Sequence, residues 1–126
     1  MKARAVTVIG LGYVGVVTAA CLSSRGITTY CYDIDKEKLS KIRNGEAPIY
    51  EPRLEDLLRA TVTNKTLRTI DDPSEGIANS GYTFITVGTP SLSDGSADLS
   101  QVFEAAENVG ECLGKLDGRH LVVLRS

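Results

Sequence analysis

The segment from Gly10 to Gly15 constrains the fold of this chain more than any other stretch. It reads Gly-Leu-Gly-Tyr-Val-Gly, follows the apolar run at residues 5–9 and leads into a second apolar run at residues 16–22. A strand, a glycine turn and a helix in this order are the setting in which a G-x-G-x-x-G pattern indicates a dinucleotide site. The chain is therefore predicted to open with the first strand–turn–helix unit of a nucleotide-binding α/β domain.

Each glycine of this turn has a predicted role. Gly10 permits the bend off the strand, Gly12 lets a pyrophosphate approach the main chain, and Gly15 lets the helix pack closely. Unpaired N–H groups at the start of the helix, together with its dipole, would attract the phosphates, and Leu11 belongs to the same predicted contact surface. A tight turn without a ligand is the alternative.

Asp33 is the second predicted part of the site. It ends the second predicted strand, about 20 residues after the turn, where an acidic residue accepts hydrogen bonds from the adenosine ribose. A carboxylate there repels a 2′-phosphate, and Asp35 adds negative charge nearby, so we predict NAD and not NADP. Lys38 could reach the adenosine end. The alternatives are that Asp33 only caps the next helix and that Lys38 is a solvated surface residue.

Strands and helices alternate along the chain, which predicts a Rossmann fold. We expect a three-layer α/β/α domain with a doubly wound parallel sheet in strand order 3-2-1-4-5. Strands are predicted at residues 5–9, 28–32, 66–70, 82–87 and 121–124. The last one is an unbroken apolar run, as expected of a strand buried on both faces.

Helices are predicted between these strands. The first covers residues 13–24, the second starts near Asp35 and stops at residues 44–45, and a third holds three leucines near residues 54–58. Asp72 and Pro73 open a short helix as N-cap and first residue. A long helix starts at residues 98–100, and its apolar positions are expected on one face: Val102, Ala105, Ala106, Val109, Leu113 and Leu116.

The loop after the fourth strand is the third predicted part of the site. In the predicted strand order this loop lies beside the glycine turn, at the switch point of the sheet. Val87 leads into it, Gly88 allows close approach, Thr89 offers a hydroxyl and Pro90 fixes the backbone. A loop without ligand contacts is an equally good interpretation of this composition.

Composition and charge exclude several other classes. The net charge of −2 gives no basic surface for nucleic acid. No apolar run reaches membrane-spanning length and no targeting segment precedes the first strand, so we expect no membrane and a cytoplasmic location. Cys21, Cys31 and Cys112 are far apart and are predicted to be reduced core residues and not metal ligands. His120 is expected to have a structural or surface role.

Four motifs in series resemble one family. They are Gly-Leu-Gly-Tyr-Val-Gly at residues 10–15, Asn-Gly-x-x-Pro-Ile-Tyr-Glu-Pro at 44–52, Val-Gly-Thr-Pro at 87–90 and Asp-Gly-x-x-Asp-Leu-Ser at 94–100. Together they resemble the N-terminal domain of the UDP-glucose/GDP-mannose dehydrogenases over almost the whole chain. The last three motifs are the more specific. The resemblance implies NAD contacts at Tyr13, Val14, Asp33, Lys38 and Thr89. Arg53 departs from the family pattern, in which glycine is usual.

The resemblance also implies an activity. The family oxidises the C6 alcohol of a nucleotide sugar to a carboxylate in two steps, which reduce two NAD, with a cysteine thiohemiacetal or thioester between the steps. None of the three cysteines here matches that nucleophile, which in the family lies in a C-terminal domain together with most sugar contacts. Arg125-Ser126 resembles the start of the family's Ser-Thr-Val motif. Residues 1–126 are therefore expected to be an NAD-binding fragment without catalytic residues, a central helix or the substrate domain.

Substrate and partners follow from the same resemblance. The family implies a nucleotide-sugar substrate bound through the missing domain, a homodimer of the full-length protein and a role in polysaccharide biosynthesis. Arg125-Ser126 favours the GDP-mannose branch slightly, whereas residues 48–52 fit UDP-sugar members equally well. Two other functions stay open: another NAD-dependent dehydrogenase, of 3-hydroxyacyl-CoA or 6-phosphogluconate type, and a stand-alone NAD-sensing module.

Overall fold

The computed structural model describes residues 4–125, and this part of the chain forms one five-stranded parallel sheet between helices. The strand order is β3-β2-β1-β4-β5, which confirms the predicted Rossmann fold. Ser126, the last residue of the motif seen in Arg125-Ser126, lies outside the described residues. The elements in chain order are β1 Val6–Ile9, α1 Tyr13–Ser24, β2 Thr29–Tyr32, α2 Lys36–Arg43, α3 Leu54–Thr63, β3 Leu67–Thr69, α4 Pro73–Ala78, β4 Tyr82–Ile85, α5 Ser100–Leu113 and β5 Leu121–Leu124.

Aspartate caps start two of the helices. Asp35 accepts a hydrogen bond from the N–H of Glu37 at the start of α2, at 3.0 Å. Asp72 accepts one from the N–H of Ser74 at the start of α4, also at 3.0 Å, and Pro73 is the first helical residue as predicted. Each cap satisfies an N–H group that the helix itself leaves without a partner.

The centre of the sheet is β1, whose side chains alternate between two cores. Val6 and Val8 point into the core that contains α1, α2 and α3. Ile9 packs on the opposite face with residues of α4 and α5. Thr7 is buried as well, and its hydroxyl oxygen lies 2.8 Å from that of Ser80. The strand is thus covered on both faces, as is usual for a central strand of a parallel sheet.

The prediction that β5 is buried on both faces is wrong. Leu121, Val122 and Leu124 are 55%, 39% and 60% exposed. Within the described residues β5 is the last strand of the sheet and pairs with β4 on one side. An apolar sequence therefore identified the strand, but its burial depends on neighbours that the local sequence does not specify.

Several single side chains and element ends also differ from the sequence-based prediction. Ala106 is exposed, so the apolar face of α5 is narrower than predicted, and the helix ends before Leu116. Cys21 is also exposed and is not a core residue. Cys31 is buried and Cys112 half-buried, and none of the three forms a disulfide. All strands but β5 end up one or two residues shorter than predicted. Across residues 4–125, no helix has the length and apolar character needed to cross a membrane.

Candidate functional site

The glycine turn between β1 and α1 packs against the main chain that leaves β4. Gly10 has a φ of +100°, and its N–H donates to the carbonyl of Tyr32 at 2.9 Å. A Cβ atom at Gly10 would lie 2.7 Å from the backbone nitrogen of Val87, well inside van der Waals contact. Glycine is therefore required here both by the backbone conformation and by the neighbouring chain.

Gly12 and Gly15 face very different surroundings. A Cβ atom at Gly12 would meet nothing within 4 Å, so the main chain there borders open space that a pyrophosphate can enter. A Cβ atom at Gly15 would overlap the carbonyl oxygen of Gly10 and lie 2.7 Å from Oγ1 of Thr86. Gly15 thus lets α1 begin directly against the turn and against the residue that follows β4.

The amino end of α1 carries no competing group. No side chain caps the helix, and its first turn contains no acidic residue. The N–H of Val16 donates to the carbonyl of Gly12 at 2.9 Å, and the N–H groups before it are those that a helix leaves without an internal partner. Together with the positive end of the helix dipole, these groups suit a phosphate anion.

Asp33 connects the end of β2 to the glycine turn. Its side chain is buried; Oδ2 accepts a hydrogen bond from the N–H of Leu11 at 2.7 Å, and Oδ1 accepts one from the N–H of Asp35 at 2.8 Å. Each oxygen retains further acceptor capacity for a ribose hydroxyl. The alternative that Asp33 only caps α2 is wrong, because Asp35 is that cap.

Thr86 links the end of β4 to the same turn and was not predicted from the sequence. Its hydroxyl donates to the carbonyl of Gly10 at 2.7 Å and lies 3.2 Å from the carbonyl of Ile9. Its N–H donates to the carbonyl of Ile9 at 2.8 Å. The turn and the loop after β4 are therefore held together, as their neighbouring strands predict.

These elements line a cavity of about 400 Å³ at the carboxyl ends of the strands. The predicted site residues that line it are Gly10, Leu11, Gly12, Asp33, Lys38, Val87 and Gly88. The predicted site residues that do not line it are Tyr13, Val14, Gly15, Thr89 and Pro90. For both groups of residues, contacts with a cofactor stay predictions.

A further wall of the cavity comes from α5 and α4 and was not predicted from the sequence. The lining residues on α5 are Gln101, Glu104, Ala105 and Asn108, and Pro73 at the start of α4 joins them. The α5 residues recur at intervals of three and four, which places them on one helical face. This spacing of polar residues around the buried Ala105 was the sequence signal from which the α5 wall of the cavity could have been predicted.

The charges around the cavity are mostly negative. Asp33, Asp35 and Glu104 contribute carboxylates, and Lys38 is the one cation among the described lining residues. Two of these carboxylates belong to the end of β2, where the adenosine ribose binds in this fold. Like charges repel strongly in a partly buried setting, so the cavity is matched to a free 2′-hydroxyl and disfavours a 2′-phosphate.

The loop between β4 and α5 is held by its own hydrogen bonds. Asp94 accepts from the hydroxyl and the N–H of Ser96 at 2.6 and 2.9 Å, and these bonds lower the pKa of the Asp94 carboxyl. Asp98 accepts from the N–H of Ser100 at 3.0 Å, which lowers the pKa of the Asp98 carboxyl. The motif at residues 94–100 therefore shapes the loop and the start of α5, and its residues do not line the cavity.

None of the three cysteines lines the cavity. Burial raises the pKa of the Cys31 thiol to about 12, and desolvation also raises the pKa of the Cys112 thiol. A thiol with a raised pKa is a poor nucleophile near neutral pH. Cys21 is exposed on α1. The described residues thus provide a cofactor cleft without a nucleophilic cysteine in it.

Arg53, at the position where the resembling family usually has glycine, keeps a glycine-like backbone. Its φ is 68°, in the left-handed region. Glycine adopts that conformation freely, whereas another residue does so at a cost of about 1 kcal/mol. Arg53 therefore enters α3 in a conformation that glycine adopts freely, and it stores a small strain there.

Comparisons with known proteins agree with this geometry. Residues 4–126 match the profile described as "UDP-glucose/GDP-mannose dehydrogenase family, NAD binding domain". The chain is 48% identical over 103 residues to a UDP-glucose 6-dehydrogenase of Pseudomonas aeruginosa, which covers 82% of this chain and 23% of that protein. It is 39% identical over 121 residues to a GDP-mannose 6-dehydrogenase of Pseudomonas savastanoi pv. phaseolicola, which covers 96% of this chain and 28% of that protein.

Solved structures give the same result. A ternary complex of GDP-mannose dehydrogenase from Pseudomonas aeruginosa superposes with a TM-score of 0.94 at 36% identity, over 100% of this chain and 28% of that one. A UDP-glucose dehydrogenase from Pyrobaculum islandicum superposes with a TM-score of 0.93 at 39% identity, over 98% of this chain and 29% of that one. The chain thus spans about a quarter of the length of the relatives it matches.

Proposed function

The chain is the NAD-binding domain of a member of the UDP-glucose/GDP-mannose dehydrogenase family, and from this we propose that it supplies the cofactor half of a nucleotide-sugar 6-dehydrogenase. The observation that carries the proposal is the cleft in which the open main chain at Gly12 and the acceptor Asp33 meet. The oxidised group is proposed to be the C6 alcohol of UDP-glucose, GDP-mannose or a related sugar, since relatives of both names match.

The residues of the cleft fit the two halves of the cofactor's adenosine diphosphate. We assign the pyrophosphate to Gly12 and the first N–H groups of α1, since that helix end lacks a cap and an acidic side chain. The adenosine ribose is assigned to Asp33, with Lys38 beside it. Val87 and Gly88 line the cleft where the main chain leaves β4, which suits them to the continuation of the dinucleotide.

When bound, NAD supplies the hydride acceptor for the alcohol oxidation. What this chain supplies is the position and selection of that acceptor, because its described residues bring no cysteine to the cleft. We therefore propose that the nucleophile and the sugar contacts come from parts of the protein outside residues 1–126. A homodimer of the whole protein and a role in polysaccharide biosynthesis belong to the same proposal. The unpaired cysteines support a cytoplasmic, reducing location.

The direct test uses the 126-residue chain. Calorimetric titration should show binding of NAD and weaker binding of NADP. Incubation with NAD and either UDP-glucose or GDP-mannose should give no growth of NADH absorbance, because the proposed nucleophile is absent. Steady NADH production would contradict the assignment of catalysis to other parts of the protein, and failure to bind NAD would contradict the assignment of the cleft.

A variant at Asp33 tests the assigned ribose contact. Asp33→Asn removes the charge but keeps one side-chain oxygen for the N–H of Leu11 or Asp35. Because hydrogen bonds to a charged acceptor contribute about 1.5–3 kcal/mol, we expect NAD affinity to fall by at least about tenfold. The ratio of NAD affinity to NADP affinity should decrease at the same time. Asp33→Ala should change both affinities in the same direction and should also lower the stability of the fold. Unchanged affinities for both dinucleotides would contradict the role.

A further inference from the structure

The α5 wall of the cleft carries side chains in addition to those proposed to contact the pyrophosphate and the ribose. Asp33 fixes where the adenosine ribose would lie, so the base attached to that ribose must occupy the neighbouring space. Apolar side chains line the same cavity as Asp33: Ile34 after β2, Pro73 at the start of α4, and the buried Ala105 on α5. Apolar surfaces with a few polar groups are the usual surroundings of a flat heterocyclic ligand.

Three polar side chains of α5 reach the same cavity. Gln101 lies at the end of the cavity next to the loop after β4, because Oε1 of Gln101 would be 3.8 Å from a Cβ atom at Gly88. Glu104 and Asn108 lie further along the helix, four residues apart and therefore stacked on one face. Within residues 4–125, neither side chain takes part in a side-chain hydrogen bond or an ion pair. Glu104 and Asn108 are thus the groups left to meet the base.

The chemistry of these two side chains matches the edge of adenine. A carboxylate only accepts hydrogen bonds, whereas a side-chain amide donates and accepts. The 6-amino group of adenine is a donor, and the ring nitrogen beside it is an acceptor. A base with a carbonyl at position 6 and a protonated ring nitrogen presents the opposite pattern. Its carbonyl oxygen would face a carboxylate oxygen, with two acceptors and no proton between them.

We propose that Glu104 and Asn108 select adenine as the base of the cofactor, with the Glu104 carboxylate accepting from the 6-amino group and the Asn108 amide donating to the adjacent ring nitrogen. The proposal rests on the proposed function of the cleft as an NAD site and deepens it. It makes α5 a specificity element for the base, in addition to the selection of the ribose by Asp33.

The test compares NAD with its deamino analogue, in which hypoxanthine replaces adenine and nothing else changes. Calorimetric dissociation constants should be about tenfold higher for the analogue with the unchanged chain, as expected for one charged hydrogen bond at an exposed edge. Glu104→Gln should bring the two constants within about twofold of each other, because a glutamine side chain can either accept from an amino group or donate to a carbonyl.

Glu107→Gln is the matched control, since it removes the same charge from an exposed position of α5 that does not line the cavity. It should leave the ratio of the two constants unchanged. Asn108→Asp should weaken NAD, because it replaces the amide donor with an acceptor. Equal binding of both dinucleotides by the unchanged chain, or equal effects of the two glutamate variants, would overturn the proposal and leave the NAD site intact. If neither dinucleotide binds, the proposed function itself fails.

Discussion

The two strands β1 and β5 have similar apolar sequences and opposite surroundings. All four residues of β1 are buried, with Val8 fully so. In β5, Leu121 and Leu124 are more than half exposed. β1 pairs with strands on both sides and is covered by helices on both faces, whereas within the described residues β5 pairs with β4 alone. Burial of these two strands is therefore decided by their central or edge position in the sheet and not by their composition.

The functional site follows the same division. The cleft is built where β1 ends, between two paired neighbours, because the loops of β1, β2 and β4 converge there. Asp33 and Thr86 each form hydrogen bonds to the turn after β1. The carboxyl end of β5 contributes nothing to the cavity. Dense packing around β1 fixes the main-chain groups that a dinucleotide needs, and it makes that region intolerant of change.

The largest expected contrast is between two glycine-to-alanine changes. Gly15→Ala places a methyl group on the carbonyl of Gly10, which is main chain and cannot rotate away. We expect a loss of about 3 kcal/mol in the free energy of unfolding, near the upper end for overpacking. Gly110→Ala in α5 has nothing within 4 Å of the new methyl group and should stabilise the chain by up to about 1 kcal/mol. Urea titrations of both variants measure the difference; similar values would break the contrast between the two regions.

An intermediate contrast comes from one valine in each strand. Val8→Ala empties a fully buried site in the core below α1 and should cost about 2–3 kcal/mol. Val122→Ala in β5 removes the same two methyl groups from a side chain that is 39% exposed, and should cost less than about 1 kcal/mol. Chemical denaturation gives both numbers. An equal cost for the two changes would show that β5 is covered in solution, for example by self-association.

The smallest expected effect is a difference between the two faces of the sheet in how their stability depends on pH. On the face of α4 and α5, hydrogen bonds from Ser74 and Ser100 lower the pKa of the Asp72 and Asp98 carboxyls below 3.8. The folded state therefore favours the ionised carboxylates. Their contribution to stability is present above the unfolded pKa and is lost as the pH falls through the lower folded values.

The denaturation midpoint should therefore decrease as the pH is lowered from about 5 to about 2.5. Asp72→Asn should make this decrease smaller, since asparagine caps a helix without titrating. Amide exchange over the same range should increase first in α4 and α5. A steeper change in α1, whose first turn has no acidic residue, would contradict this assignment.

Much of the architecture was predictable because its signals are local. The Asp72-Pro73 pair and the Asn44-Gly45 pair set helix ends through caps and backbone freedom, which neighbouring residues determine. The glycine turn predicted the strand–turn–helix unit for the same reason. The face of α5 that lines the cavity was not predicted, because Gln101, Glu104 and Asn108 resemble an ordinary solvated face until the cleft that they border is known.

The sequence by itself determined the order of the elements, the family and the character of the cofactor. It did so because periodicity, caps and the spacing of Gly10, Gly12 and Gly15 act over a few residues. Only the tertiary structure decided that β5 is exposed, that Thr86 fastens the turn and that Glu104 borders the cleft. These depend on contacts between residues far apart in the chain, such as the 2.7 Å bond from Leu11 to Asp33. Such contacts exist only once the strands have taken their places in the sheet.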